Sequence, residues 1–458
     1  MSNWLTYSPV SGHGNATITL SASTLTGLED RIKTLIATGS QEGQTLSATT
    51  VITQKYATLT EIYFENLTWA TDIPYTGGTA TSANCSFSII AKYSDNSTKD
   101  ITNLANVTGS LVVPFSDEGE RHSAGTLTLT ATYKDKTCYG NAVAYQQAFD
   151  FSKKPLTFNI ISGGTIAWRI NSNIISKTIE YKLNNGEWIA TENAEVTVSA
   201  GDKIQFRGNN ATYGSENNIF KPFSNSTAVF DVEGNIMSLI NSTDFDSLTA
   251  LEGRFTFADF FWDCTGLTSA KNLVLPATTL GAFCYQDMFY NCTSLTTAPK
   301  ELPATTLTIG CYGGMFNGCT SLITVPELPA TTLIDGCYDN MFNGCTSLTT
   351  APKLPATTLA EGCYHDMFWG CTSLTQAPEL PATDLETRCY SHMFYNCTSL
   401  NYIKCLAIYI SQPYCTDSWV YGVASTGTFV QNPNLSVSDW PTGTSGVPKG
   451  WSVLDNNS

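Results

Sequence analysis

Cysteines are the residues of this 458-residue chain with the most obvious chemistry, and thirteen of the fifteen fall between Cys264 and Cys415. Such a set could bind a metal, form disulfides or simply pack. An odd total cannot pair completely within one chain. Cys284 and Cys292 stand eight residues apart, as do Cys311 and Cys319, wider than the roughly two to four residues of a zinc knuckle. No histidine accompanies them at a matching place. Their regular return alongside leucines favours packing, since a free thiol behaves as a small apolar residue with a weak donor. Cys292, Cys319, Cys345, Cys371 and Cys397 are therefore expected as a structural core ladder. Cys85 and Cys138 stand apart, and whether they pair is open.

Other chemistry finds little support. His13, His122, His365 and His392 are scattered, and the last two occupy different places in neighbouring repeats. Neither a Gly-x-Ser-x-Gly elbow, a His-Glu-x-x-His pair nor a phosphate loop is present. Glu327 and Glu379 share a repeat position with Lys353, which is how a solvated face behaves. Glycoside hydrolysis needs two carboxyls about 5–10 Å apart in a cleft, and near-identical coils offer none. The expectation is a protein that is not an enzyme, with no catalytic residues, no metal and no cofactor. A net charge of −16, with no basic run, excludes nucleic acid and anionic membrane surfaces as natural partners.

Binding chemistry is easier to place. Before the second Cys of each repeat come Trp262, Tyr290, Asn317, Asn343, Trp369 and Tyr395, and after the first Cys comes a tyrosine, such as Tyr338 or Tyr364. Because Asn serves as well as an aromatic at the first of these places, packing does not require the ring there. Exposed rings beside Asn and Asp suit the apolar C–H faces and hydroxyl rims of sugars. Trp262, Tyr290, Trp369, Tyr395, Tyr338 and Tyr364 form the candidate ligand-binding set. An ordinary surface with scattered aromatics is the competing reading.

The elements that must position these residues follow from the repeat. CYQDMFYNCTSL, CYGGMFNGCTSL, CYDNMFNGCTSL, CYHDMFWGCTSL and CYSHMFYNCTSL begin at Cys284, Cys311, Cys337, Cys363 and Cys389, at intervals of 27, 26, 26 and 26 residues. LPATTL recurs between them. Degenerate copies sit at Phe260–Leu267 and from Cys415, where Trp419 and Val420 take the Met-Phe places. Stacked coils of this kind bury one row each of Leu, Met and Phe, and need atypical ends. The aromatic-x-x-Cys-x-x-Leu core resembles the BspA-like leucine-rich repeats of gut-bacterial surface proteins, over about 150 residues.

Upstream, Trp4, the turn from Ser8 to Asn15, ATITLSAS and Val51-Ile52-Thr53-Gln54 resemble a BACON domain lacking its first strand. Ala91–Thr102 and Ala124–Thr137 resemble a group-two bacterial immunoglobulin-like domain. EYKLNNGEW and GDKIQFRG read as strands of a further small β-domain. The expected fold class is mainly β, with tandem small β-sandwich (Ig-like) domains followed by a leucine-rich-repeat solenoid. Boundaries are expected at 1–55, 56–152, 153–229, a cap or linker at 230–259, the solenoid at 260–425 and a C-terminal cap or tail at 426–458.

No segment approaches the roughly 18 apolar residues of a membrane span, and MSNWLTYSPVSG lacks the basic, apolar start of a secretory leader. Together with the surface-type domains, this suggests a phage virion protein, a fibre, spike or capsid decoration. It would contact other virion proteins through the N-terminal β-domain and host-surface or mucosal glycans or proteins through the solenoid. Homo-oligomerisation is left open. The alternative is a bacterial cell-surface glycan- or protein-binding protein numbered without its leader.

Overall fold

The computed structural model describes residues 5–8, 19–22, 31–41, 44–54, 57–114, 116, 121–169, 178–214, 220–435 and 440–455. It is mainly β, with almost no helix, and divides into two compact units, Met1–Phe149 and Asp150–Ser458.

In the first unit, Leu5–Ser8 pairs with Thr19–Ala22, and Arg31–Gln41 pairs along its whole length with Gln44–Gln54. Trp4 and the turn residues after Ser8 lie outside the described residues. Leu59–Trp69, Cys85–Tyr93 and Thr98–Asp100 form one antiparallel sheet, and Asn106–Thr108, His122–Tyr133 and Lys136–Gln146 form another. Asn96 and Lys134 turn the two hairpins at φ 65° and 53°. Ile62, Ile89 and Ala131 fill one core cluster and Ala80, Leu127 and Leu129 a second. Cys85 and Cys138 are half-buried, unpaired thiols.

The second unit joins two kinds of β-structure through one strand. Val229–Asn235 runs antiparallel to Leu156–Ser162 on one side and parallel to Leu267–Val274 on the other. It therefore ends an antiparallel sheet and begins a parallel stack, and a single core continues from Leu156 to Trp451. The segment expected as a cap or linker at 230–259 is thus a central strand followed by the first coil. That coil starts at Phe255, before the expected 260, because Phe255 stacks on Phe283 and Phe257 on Tyr285.

Each coil is held by alternating amides. In the stretch from Gly310, the amides of Tyr312, Gly314, Phe316 and Gly318 donate to Cys337, Asp339, Met341 and Asn343 of the next coil. The amides between them, of Gly313, Met315, Asn317 and Cys319, donate three residues back within the coil. The pattern recurs in coils opening at Gly336, Gly362 and Arg388, and in the one opening at Phe283 except that the Tyr285 amide donates to Thr256 of the preceding coil. It needs a left-handed residue at regular places. Asn291, Gly318, Gly344, Gly370, Asn396 and Gly422, one per coil, all have φ between 57° and 76°. Asn and Gly are the residues that enter this region at least cost.

Inside, Met288, Met315, Met341, Met367 and Met393, the following Phe residues and Leu295 to Leu400 are all fully buried. Phe rings of neighbouring coils stack at 5.2–5.7 Å. The stack also extends past the expected end. Tyr402–Cys405, Thr428–Gln431 and Ser452–Asp455 form a parallel sheet, so much of 426–458 is a further coil. Its signature residues are lost, but Trp419, Trp440 and Trp451 fill the interior and hydrogen-bond or stack there.

Candidate functional site

The turns between the two cysteines of each coil line up as a ridge along one side of the stack. Each coil contributes the same backbone and different side chains. Counting from the first Cys, the residue before it and those two, three and six places after it vary from coil to coil.

The ridge has a groove of about 400 Å³ where Gly310, Gly313 and Gly314 supply no side chains. Its walls include Phe283, Asp287, Asn317, Asp335, Asp339 and Asn340. The floor is held open by more than chance. A Cβ built on Gly310 would meet the Phe283 ring at 2.4 Å, and one on Gly314 would meet Asp287 Oδ1 at 2.0 Å. The groove therefore offers an apolar ring on one wall and amides and carboxylates on the other, with no cation in its lining. Burial pushes the Asp287 carboxyl up to about 6, against the opposing pull of the Gln286 hydrogen bond and the Lys221 charge and with a smaller push from the Asp339 charge.

The aromatic candidates separate into two groups. Trp262 and Tyr290 stack at 3.8 Å, and Trp369, Tyr395 and Tyr421 stack at 4.0 and 4.6 Å. Asn317 and Asn343 occupy the places between the two stacks. Across that gap Tyr290 and Trp369 are three coil steps apart, about 14 Å at the usual strand spacing. Trp262 offers little to a ligand, because Tyr290 covers one face and the Lys221 ammonium lies 3.2 Å from the ring centroid. The ring faces that no other aromatic covers, on Tyr290 and Trp369, look toward Asn317 and Asn343, and Asn317 also lines the groove.

Tyr338 and Tyr364 are not contact residues. They are 1% and 2% exposed and stack ring on ring within a buried column from Tyr285 to Tyr390. Residues just after the first Cys point inward, and the next two places turn toward the ridge, although Ser391 is buried there. The hydroxyls of Tyr285 and Tyr312 are buried without a hydrogen-bond partner.

The cysteines lie on the inner side. Cys292, Cys319, Cys345, Cys371 and Cys397 are fully buried, and each thiol donates to the carbonyl of a Phe in the preceding coil at 3.0–3.2 Å. Burial pushes the Cys397 thiol up to about 12. All fifteen cysteines are free. Sequence reading missed three ridge features: the glycine groove, Tyr421, and the meeting of His365 with His392. An alignment of the coils shows the first two as glycines and an aromatic at variable places. The third needs the diagonal between coils.

One comparison names the repeat. Residues 278–412 match the BspA type leucine rich repeat region, in six copies. This covers under a third of the chain, and the matched residues include the ridge positions from Phe283 to Tyr395. Repeats of this type point to a surface-exposed protein that binds protein or glycan. Neither curated proteins nor solved structures gave a match. Among the described residues, no helix is long and apolar enough to cross a membrane.

Proposed function

We propose that this chain is a non-enzymatic adhesion protein of a phage virion, a fibre, spike or capsid decoration, and that its ridge binds a neutral glycan of the host surface or mucosa. The glycine groove of the ridge carries this reading. It pairs an apolar ring wall with Asn and Asp groups that can accept and donate to sugar hydroxyls. Carboxylates without a cation in the lining favour neutral sugars over sialic or uronic acids, because like charges repel in a half-buried site. Residues 1–55, which resemble a BACON domain, would dock to other virion proteins. The free thiols support a virion origin, since a chain that folds in a reducing cytoplasm leaves such cysteines unpaired. A bacterial cell-surface protein is the alternative, favoured by the BspA-type repeats themselves.

The test is a glycan array probed with the full chain and with Gly314→Asn. Asn340 occupies the same left-handed place in the next coil, so the backbone accepts the substitution, while the new side chain displaces the Asp287 carboxylate and fills the groove. Binding of neutral glycans that Gly314→Asn abolishes supports the reading. Binding that the substitution leaves unchanged, or an array with no neutral-glycan signal, refutes it.

A further inference from the structure

The C-terminal half of the ridge holds a second constellation that the groove does not use. His365 and Asp366 lie two and three places after Cys363, and His392 lies three places after Cys389. This one-place offset brings the imidazoles of neighbouring coils together across Asp366, with ring centroids 5.7 Å apart. Asp366 Oδ1 lies 3.6 Å from His365 Nε2 and 3.2 Å from His392 Nδ1. That oxygen is buried, and although His392 Nδ1 lies within ion-pair reach, no donor meets it with good hydrogen-bond geometry.

We propose that His365 Nε2, Asp366 Oδ1 and His392 Nδ1 are three ligands of a divalent late-transition-metal ion such as Zn²⁺. A tetrahedral ion about 2.0–2.1 Å from each ligand requires adjacent donors about 3.4 Å apart, close to the two separations above, and the three donor atoms all lie within 4.8 Å of one another. Two imidazoles and one carboxylate select such metals over Ca²⁺ or Mg²⁺, which take oxygen sets. The outer groups fit as well. Asp339 Oδ1 lies 2.8 Å from His365 Nδ1. A carboxylate only accepts, so Nδ1 donates and Nε2 presents its lone pair inward. His392 Nε2 faces Asp417 at 3.7 Å on the far side. Trp369 stands edge-on to His392 at 5.3 Å and walls the site, while both imidazoles keep about 30% of their side-chain surface exposed, leaving a fourth position open to solvent. The inference does not rest on what the glycine groove binds, although Asp339 borders both.

Titration of the full chain with Zn²⁺ by calorimetry near neutral pH, with Co²⁺ as a spectroscopic substitute, tests it. The expected result is one ion per chain, with Co²⁺ d–d bands and no thiolate-to-metal charge-transfer band. Asp366→Asn and His392→Asn should each weaken binding at least tenfold without unfolding, because Asn340 already stands at that place in another coil. Asp339→Asn, which acts through the His365 tautomer, should weaken it by about 10–100-fold. Absence of saturable binding, binding indifferent to His392→Asn, or a charge-transfer band placing the ion on a cysteine would each overturn the proposal. Absence of binding would leave Asp366 as the centre of a plain Asp–His ion-pair ladder.

Discussion

The inner and outer sides of the same coils differ in what they hold constant. Inside, Cys, Tyr, Met, Phe, Cys and Leu repeat with almost no change, and each is buried against its own copy in the next coil. Outside, places two and three after the first Cys carry Gln286-Asp287, Gly313-Gly314, Asp339-Asn340, His365-Asp366 and Ser391-His392 on one unvarying backbone. A column of identical side chains fixes the spacing and phase of the coils. With the backbone set from within, the ridge can change its chemistry without altering the fold. The expected cost of a substitution should therefore depend on its side rather than on its size.

The largest effect tests the inner side. Tyr338→Ala removes one ring from the buried column and should destabilise the second unit by about 3–5 kcal/mol, read as a lower denaturant midpoint. A loss below about 1 kcal/mol would mean that the column tolerates gaps and that its uniformity has another origin.

A second prediction uses the first coil, where the ridge is itself buried. Asp259 is 9% exposed, and burial together with the Asp287 charge pushes its carboxyl up to about 7 against the pull of Lys221. The unfolded carboxyl titrates near 4. Between about pH 4 and 7 the folded state therefore binds more protons than the unfolded one, so this contribution to stability falls as pH rises and is fully adverse above about pH 7. Asp259→Asn should raise stability at pH 8 by roughly 1–3 kcal/mol and leave it nearly unchanged at pH 4. Equal effects at both pH values would remove the burial argument.

Smaller effects separate the two sides further. Cys345→Ala loses volume and the thiol donor to Phe316, and should cost about 1 kcal/mol. Cys345→Ser keeps a donor at that carbonyl and should cost less, which paired unfolding curves can resolve. Tyr312→Phe should be neutral or stabilising by up to about 1 kcal/mol, because it deletes a buried hydroxyl that has no partner. Trp369→Asn with Tyr395→Asn should change stability by no more than about 0.5 kcal/mol per site while weakening attachment to glycan-bearing cells. A clear drop in melting temperature for this pair would reassign the aromatic stack from recognition to structure.

The sequence makes the period and the inner rows legible because each core place repeats one residue type every 26 residues or so. It hides the ends, where other residues do the same work. Thr256 stands in the place of Cys284, and its hydroxyl donates to the same Gly253 carbonyl that Cys284 reaches from the next coil. Trp419 stands where a Met is expected, and Thr428–Gln431 keeps the ladder without the motif. Backbone pairing defines these coils, and pairing leaves no side-chain signature. Of the candidate site, the aromatic row at Tyr290 and Trp369 was legible as variation within a fixed frame. The inward turn of Tyr338 and Tyr364 was not, because a row of tyrosines reads the same on either side of a coil. Nor were His365 and His392, whose proximity comes from adding one place along the coil to one step between coils.

The alternation of amides has a mechanical consequence. Bonds donated to the next coil lie along the stack axis, so a load applied along that axis at the last strand, Ser452–Asp455, would open coils in sequence, like a zip. A load applied at the ridge, across the axis, would instead draw on the ladders above and below the gripped coil together, in shear. A tether fastened at the side of this stack should resist detachment by flow better than one fastened at its tip.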